Sequence, residues 1–397
     1  MVSATSVPRA SRTRSNSPAK RPQYDASKQR REAKLLREEI LDAWSRCRDA
    51  VRSGDKAALR QMHVSAKQWD TEITYSKLQE DLRALRSYFP SPAKIDPESI
   101  DPIVVPVRPR TVEERLFKVT RGYWSMPYSK GYGRRLRFLV IDRSINALIG
   151  IIGLQSPSAD MACRDNYIDV DKEIKLHVVN NTLDAYTIGS TPAYAPLLAG
   201  KLVAGLLHSP VIRQEYWRTY AGRKTTQLKR KIPQPLLAIT TASAFGRSSV
   251  YNRLKFEEQL LAKPLGYTKG YGTLHLEELY PRMAAWLMAE GLHVPAGFGN
   301  GPRVRWQNII HTLQALGLSS KYLEHGVKRE VFIFELATNF LEACRNGETP
   351  AMSQFSDDGW SAYWKKRWCL PRVQRVPDWF HFDAYRQIEQ AYIPMCP

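Results

Sequence analysis

Leu136-Arg-Phe-Leu-Val-Ile-Asp142 and Ala147-Leu-Ile-Gly-Ile-Ile-Gly-Leu154 are two apolar, β-prone runs separated by the short polar stretch Arg143-Ser-Ile-Asn146. Runs of this length, rich in Val, Ile and Leu and broken by a turn, predict a β-hairpin with both strands buried. The next segments keep the same alternation. Asp171–Asn180 is polar and helix-like, and Leu183–Ile188 is a short strand. Pro196–Leu207 has the small apolar residues of a packed helix, and Pro235–Ala244 is another buried strand, with a glycine turn and a short helix after it. Further on, Trp306, Ile309, Leu313 and Leu316 mark an amphipathic helix ended by Gly317, followed by a strand at Val331–Leu336 and a helix at Ala337–Arg345. The order β-β-α-β-α-β-α predicts an α+β domain, a mixed β-sheet flanked by helices, over residues 111–345.

Outward from that domain the composition changes. Residues 1–31 are rich in Ser, Arg, Pro and Lys without apolar period, which predicts a disordered basic arm. Leu36, Ile40, Trp44, Cys47 and Val51 recur at helical spacing up to Gly54, and similar patterns at Leu59–Trp69 and Leu78–Phe89 predict a small helical bundle over 32–89. Six prolines between Pro90 and Pro109 predict a semi-rigid linker over 90–110. Thr111 and Glu114 then form a capping box that starts a helix. Residues 346–397 are a Trp- and Arg-rich C-terminal segment.

The chain has 397 residues and a formal net charge of +20. That excess favours a polyanionic partner, nucleic acid first. It is concentrated: residues 1–31 carry +7, 213–231 carry +6 and 365–375 carry +5, leaving +2 for the rest. The N-terminus has no apolar signal-peptide core, no uncharged run is long enough to span a membrane, and the five cysteines are widely spaced. A reducing, cytoplasmic location without membrane contact is therefore expected. No CxxC, HxxxH or HExxH occurs, so no metal site has recognisable spacing.

Four motifs carry candidate chemistry, each with a structural alternative. Tyr128-Ser-Lys-Gly-Tyr-Gly133 is echoed by Tyr267-Thr-Lys-Gly-Tyr-Gly272. Each is a glycine turn entering a strand, or a phosphate site built on backbone amides and Lys130 or Lys269 with stacking tyrosines such as Tyr271. Ser243-Ala-Phe-Gly-Arg-Ser-Ser-Val-Tyr-Asn-Arg-Leu-Lys-Phe256 reads as a strand-to-helix turn whose amides, near Gly246 and Ser248, can hold an anion, with Arg247 and Arg253 adding charge. Arg164-Asp-Asn-Tyr-Ile-Asp169 and Asn180-Asn181 form either a buried polar network or a substrate-reading set. In Trp360-Ser-Ala-Tyr-Trp-Lys-Lys-Arg-Trp-Cys-Leu-Pro-Arg372, Trp364 and Trp368 share a helical face with Lys365, Lys366 and Arg367 turned away. The aromatics either dock on the sheet domain or form a stacking platform rimmed by these cations and Arg372. His275, three residues past the second turn and expected on a strand, is structural or catalytic.

CRDNYI (163–168), VVNN (178–181), GRSSVYNRLKF (246–256), GYTKGYGTLH (266–275), EHGVKREVFIFEL (324–336) and YWKKRWCLPR (363–372) occur in this order. Together they resemble the DruA family of the Druantia anti-phage defence systems. That resemblance implies a bacterial, cytoplasmic defence protein acting beside a large helicase-like subunit. More distantly, the hairpin, the helix at Pro196–Leu207 and the strand–turn–helix at Leu236–Phe256 resemble the GNAT acyltransferases, and GRSSVYNRLKF the turn of the Mom-like, DNA-modifying branch. This likeness implies that Tyr251 is functional. Two features depart from it. Thr241, Ala242 and Ser243 stand where an acidic residue is expected, and Thr191-Pro-Ala-Tyr-Ala-Pro196 lacks the glycine-rich pyrophosphate loop. No cofactor can be named. The expectation is a defence protein that binds DNA and recognises or modifies it in one cleft. There Arg164, Asp165, Asn180, Asn181, Ser248, Tyr251, Asn252, Tyr271 and His275 converge, Tyr251 or His275 moves a proton, and Arg164 and Arg247 hold phosphate. A non-catalytic DNA-binding adaptor is the alternative, and a nuclease or transposase-like enzyme a third.

Overall fold

The computed structural model describes residues 26–68, 75–126, 133–169, 171–225, 229, 231, 235–269, 274–295 and 304–392. The chain forms two compact units, one from residues up to 41 together with 279–319, the other from 42–278 together with 320–397. In the first, Arg282 on the helix Tyr280–Glu290 pairs with Glu32 at 2.8 Å and Glu39 at 2.6 Å. The Asn308 amide there closes on both backbone groups of Val294.

The second unit holds the sheet. The predicted hairpin is β2 (Arg135–Asp142) and β3 (Ala147–Gln155), preceded by β1 (Pro102–Pro106) and followed by β4 (Thr182–Ser190) and β5 (Ala238–Ala242). A two-stranded ribbon, β6 (Lys255–Phe256) and β7 (Gln259–Leu260), leads to β8 (Lys263–Tyr267) and β9 (Glu330–Glu335). The seven-stranded order is β1-β2-β3-β4-β5-β9-β8, antiparallel except for a three-residue parallel step from β4 to β5. The α+β class and the mixed sheet are as expected.

Alternation along the strands, stepped by one residue at a bulge in β3 opposite Val140 and Ile141, sorts side chains to two faces. Phe138 and Val140, Ile149 and Ile152, Ile239, and Phe332 and Phe334 share one core with the helix Ala199–Gly205 and with Trp360 and Trp364. On the opposite face, Leu139, Ile141, Leu148 and Ile151 pack with Leu116, Val119 and Ile388. Further along that second face, Ile333 packs with Ile168, Val178 and Phe340.

Three expectations change. Helices stand at Ala26–Ser53, Lys56–Gln68 and Tyr75–Ala84, but they are not a separate bundle over 32–89: Leu82, Leu85 and Phe89 lie in the core with Leu116 and Leu139. The 90–110 segment is not a linker. It supplies β1, whose Pro102 and Pro106 are tolerated because an edge strand leaves one row of backbone groups unpaired. Of the expected arm, residues 26–31 already belong to the first helix, and 1–25 lie outside the described residues. The capping box is present in a shifted form. Thr111 accepts from the Glu114 amide, and the Glu114 carboxylate accepts from the amide of Arg110.

Glu215, buried on the helix Pro210–Tyr220, anchors that helix to the segment after β1. Its carboxylate accepts from Arg108 at 2.8 Å, from Arg218 at 2.7 and 2.9 Å, and from Thr219 at 3.1 Å. Burial alone would raise its pKa, but these donors outweigh it and hold the group at about 2. A carboxyl depressed on folding contributes stability above its unfolded value and loses it as pH falls through the folded one. Glu215→Gln is therefore expected to cost about 2 kcal/mol at neutral pH, the full shift being reduced because both arginines are partly exposed. The difference from wild type should shrink between pH 4.5 and 2, followed by thermal unfolding across that range. Parallel pH profiles would remove this role from Glu215.

Candidate binding groove

The predicted strand–turn–helix after β5 forms only its first two parts. Gly246 adopts φ +58°, a left-handed conformation that glycine tolerates, and one turn follows in which the Ser248 hydroxyl accepts from the amides of Val250 and Tyr251. Arg253, also left-handed at φ +59°, ends the turn before it can extend, and Leu254 leads into the ribbon. The anion site expected at a helix N-terminus is therefore not formed. The Ser248 amide donates to the Glu330 carboxylate at 3.1 Å, and Asn252 donates to the same oxygen at 3.0 Å. The amides of Ser248, Val250 and Tyr251 are thus used internally.

The side chains of that turn do something else. They form one wall of a groove of about 950 Å³, lined by Lys56, Lys201, Arg247, Ser248, Ser249, Asn252, Arg253, Lys255, Glu258, Tyr363, Arg367 and Trp368. Six cations face one carboxylate. Lys56 donates to the Arg247 carbonyl at 3.2 Å, and Lys201 to those of Ser249 and Val250 at 2.9 and 3.0 Å, so two of the cations also pin the turn. Burial lowers the Lys201 pKa. Arg247, Arg253, Lys255 and Arg367 are exposed, and none has a carboxylate partner among the described residues. Cations that outnumber the counter-charge six to one repel one another, a cost that a polyanion in the groove would remove.

A second part of the lining comes from the Trp-rich segment. The helix Asp357–Trp364 continues into a π-helical stretch, Lys365–Cys369, whose next amide bonds back five residues to the Lys365 carbonyl. The wider turn overturns the expected pairing of Trp364 with Trp368. Trp364 is fully buried and donates to the Leu198 carbonyl, whereas Trp368, five residues from Tyr363, meets that ring at 5.6 Å in the groove. Arg367 lines the groove with them rather than turning away, and Lys201 lies 5.5 Å from the Trp368 ring centre. Docking on the sheet core and an open aromatic–cationic wall are both present, divided between Trp360/Trp364 and Tyr363/Trp368.

The remaining candidates do not converge here. Arg164 is fully buried, bonded to Asp165 at 2.6 and 2.9 Å and to the carbonyls of Ser158 and Ala159. Enclosed in this way, it has no open face for phosphate. Asp165 also pairs with Lys175 at 3.2 Å. Asn181 ends the helix Lys172–Asn181, buried, and its carbonyl accepts from the Leu237 amide. Asn180 donates to the Leu176 carbonyl. The helices bearing these residues pack through Ile168 and Val178 on the second face, while Tyr251 packs against Phe332 and Phe334 on the first, at 5.2 and 6.1 Å. The sheet separates them, and the single-cleft expectation fails for that reason.

Burial pushes the Tyr251 phenol up to about 12, which opposes proton transfer near neutrality. His275 is not on a strand. Its Nε2 meets Nδ1 of His63 at 2.8 Å, and its Nδ1 lies 3.4 Å from Glu277. Burial, together with His275, His325 and Arg329, lowers His63 to about 3. Lys365 and Arg372 bond the carbonyls of Glu98 and Pro196, Lys366 and Lys269 are exposed, and Lys130 and Tyr271 lie outside the described residues. Lys56, Lys201 and Lys255 are not singled out by the sequence. Lys56 and Lys201 lie outside both motifs, whereas Lys255 lies within 243–256, two residues from Arg253, and the fold gathers all three.

Among the described residues no cluster of His, Cys, Asp or Glu could hold a metal ion, and no helix is long and apolar enough to cross a membrane. Fold and groove together describe an α+β protein with a cationic groove lined in part by aromatic rings. Residues 53–346 match the family described as Druantia protein DruA. A Druantia protein DruA of Escherichia coli (strain UMEA 4076-1) is 36% identical over 305 residues, covering 75% of this chain and 76% of that protein. The chain belongs to the DruA family, and that membership supports a role in Druantia anti-phage defence. No solved structure matches.

Proposed function

We propose that this chain is the nucleic-acid-binding component of a Druantia defence system, acting in the cytoplasm on DNA presented by a helicase-like partner. The observation that carries this reading is the groove. Arg247, Arg253, Lys255 and Arg367, drawn from two separate segments, stand around Tyr363 and Trp368 without a carboxylate partner among the described residues. Phosphate contacts supply affinity and aromatic faces accept bases.

The non-catalytic form of this reading is favoured over a GNAT-like transferase. The parallel β4–β5 step suits an acyltransferase sheet. The segment entering the helix Ala199–Gly205 does not suit an acyl-CoA pyrophosphate. The amides of Thr191, Tyr194, Ala195, Leu197 and Leu198 all bond to nearby carbonyls. Buried Tyr251 adds no accessible proton carrier.

Tyr251→Phe is accordingly expected to leave DNA affinity and phage protection within about twofold of wild type, and the nucleoside profile of cellular DNA, read by mass spectrometry, unchanged when the protein is expressed. A new modified nucleoside that vanishes in Tyr251→Phe would replace this reading with a catalytic one.

A further inference from the structure

We infer that the groove takes a single strand of nucleic acid, with a base lodged against Trp368 and the backbone tracked by Arg253 and Arg367, an inference that rests on the nucleic-acid reading of the same site. Three observations carry it. The site is concave. Duplex readers push a helix or ribbon into the groove of the DNA, whereas a cavity of about 950 Å³ receives a strand or an unstacked base.

The aromatics at the site differ in kind from those beneath. Trp360 and Trp364 are fully buried with their indole N–H groups on the carbonyls of Leu202 and Leu198. Trp368 is only half-buried, and its indole N–H has no hydrogen-bond partner among the described residues. Its ring is braced edge-on by Trp360 at 5.7 Å and Tyr363 at 5.6 Å. A braced, half-open ring with a spare donor suits stacking and an edge contact to a base.

The third observation is the helix itself. The departure to π geometry falls on the five residues Lys365–Cys369 that present Arg367 and Trp368, and such departures concentrate at functional positions.

The test uses the full chain with two fluorescein-labelled probes, a thymidine oligonucleotide and a duplex of equal length, titrated by anisotropy. The single strand is expected to bind at least tenfold more tightly. Trp368→Ala should weaken it about tenfold while leaving duplex binding nearly unchanged. Trp368→Phe, which keeps a ring, should restore most of the loss and guards against misfolding of the alanine variant. Equal or tighter duplex binding, or a single-strand affinity indifferent to both substitutions, overturns the inference and leaves the groove a binder of nucleic acid in general. Failure of wild type to bind either probe overturns the nucleic-acid reading as well.

Discussion

Arg253→Glu combined with Arg367→Glu is expected to weaken DNA binding a hundredfold or more, well beyond the effect of either substitution alone. The two side chains come from the two separate segments that line the groove, both are exposed, and neither has a carboxylate partner among the described residues. Their loss removes no internal ion pair among those residues, so thermal stability should stay close to wild type. Each cation that meets a phosphate contributes about 0.9 to the slope of log affinity against log salt on a duplex, and about 0.7 on a single strand. The double substitution should therefore flatten that slope by one to two units, with repulsion from the new carboxylates added at low salt. Lys366→Glu changes the net charge by as much as either single substitution, on an exposed neighbour that does not line the groove. It should cost no more than a few-fold. If it proved as damaging as Arg367→Glu, binding would be following net charge and not the groove.

The largest stability effect is expected from Trp360→Ala, at about 3–5 kcal/mol. The indole is fully buried, donates to the Leu202 carbonyl at 2.9 Å, and packs against Phe256 at 5.7 Å and Phe355 at 6.4 Å. It lies directly on Gly205, where a Cβ would fall inside the ring system. Gly205→Ala should consequently destabilise by about 1–3 kcal/mol through overpacking. The two sites share one contact, so their effects are not additive. Trp360→Phe, by vacating part of the space, should make Gly205→Ala less costly than in the wild-type background, as read from thermal unfolding of the four proteins. Additive losses would show that Gly205 and Trp360 are not coupled. Because Trp360 also braces Trp368, the alanine variant should lose single-strand affinity as well as stability.

Much of the fold is legible because it rests on short-range pattern. The hairpin Leu136–Leu154, the strands at 183–188 and 331–336 and the helix ended by Gly317 all stand where apolar period and turn chemistry put them. Pattern fails where tertiary context decides. Prolines that exclude a central strand are compatible with an edge, so β1 is hidden among them. A glycine turn followed by serines looks the same whether a helix follows or a single turn closed by left-handed Arg253. The site is legible in part. The turn 246–256 and the segment 360–372 each carry a binding signature, and the groove joins them. The single-cleft reading fails because nothing local tells on which face of a sheet a helix will pack. Arg164 looks available because sequence does not record that Ser158 and Ala159 turn their carbonyls toward it. Three clusters in the sequence dominate the charge count, yet of the six groove cations only Arg367 belongs to them.

The π-helical stretch also makes the groove depend on chain length as much as on composition. An α-helix closes its bonds over four residues and this stretch over five, so Lys365–Cys369 holds one residue more than an α-helical turn would. A homologue with one residue fewer between Trp364 and Cys369 would close this turn as regular α-helix, keeping the flanking residues near their places while giving up one position beside the groove. In this segment a single-residue deletion acts on the wall of the groove rather than on the helix beyond it.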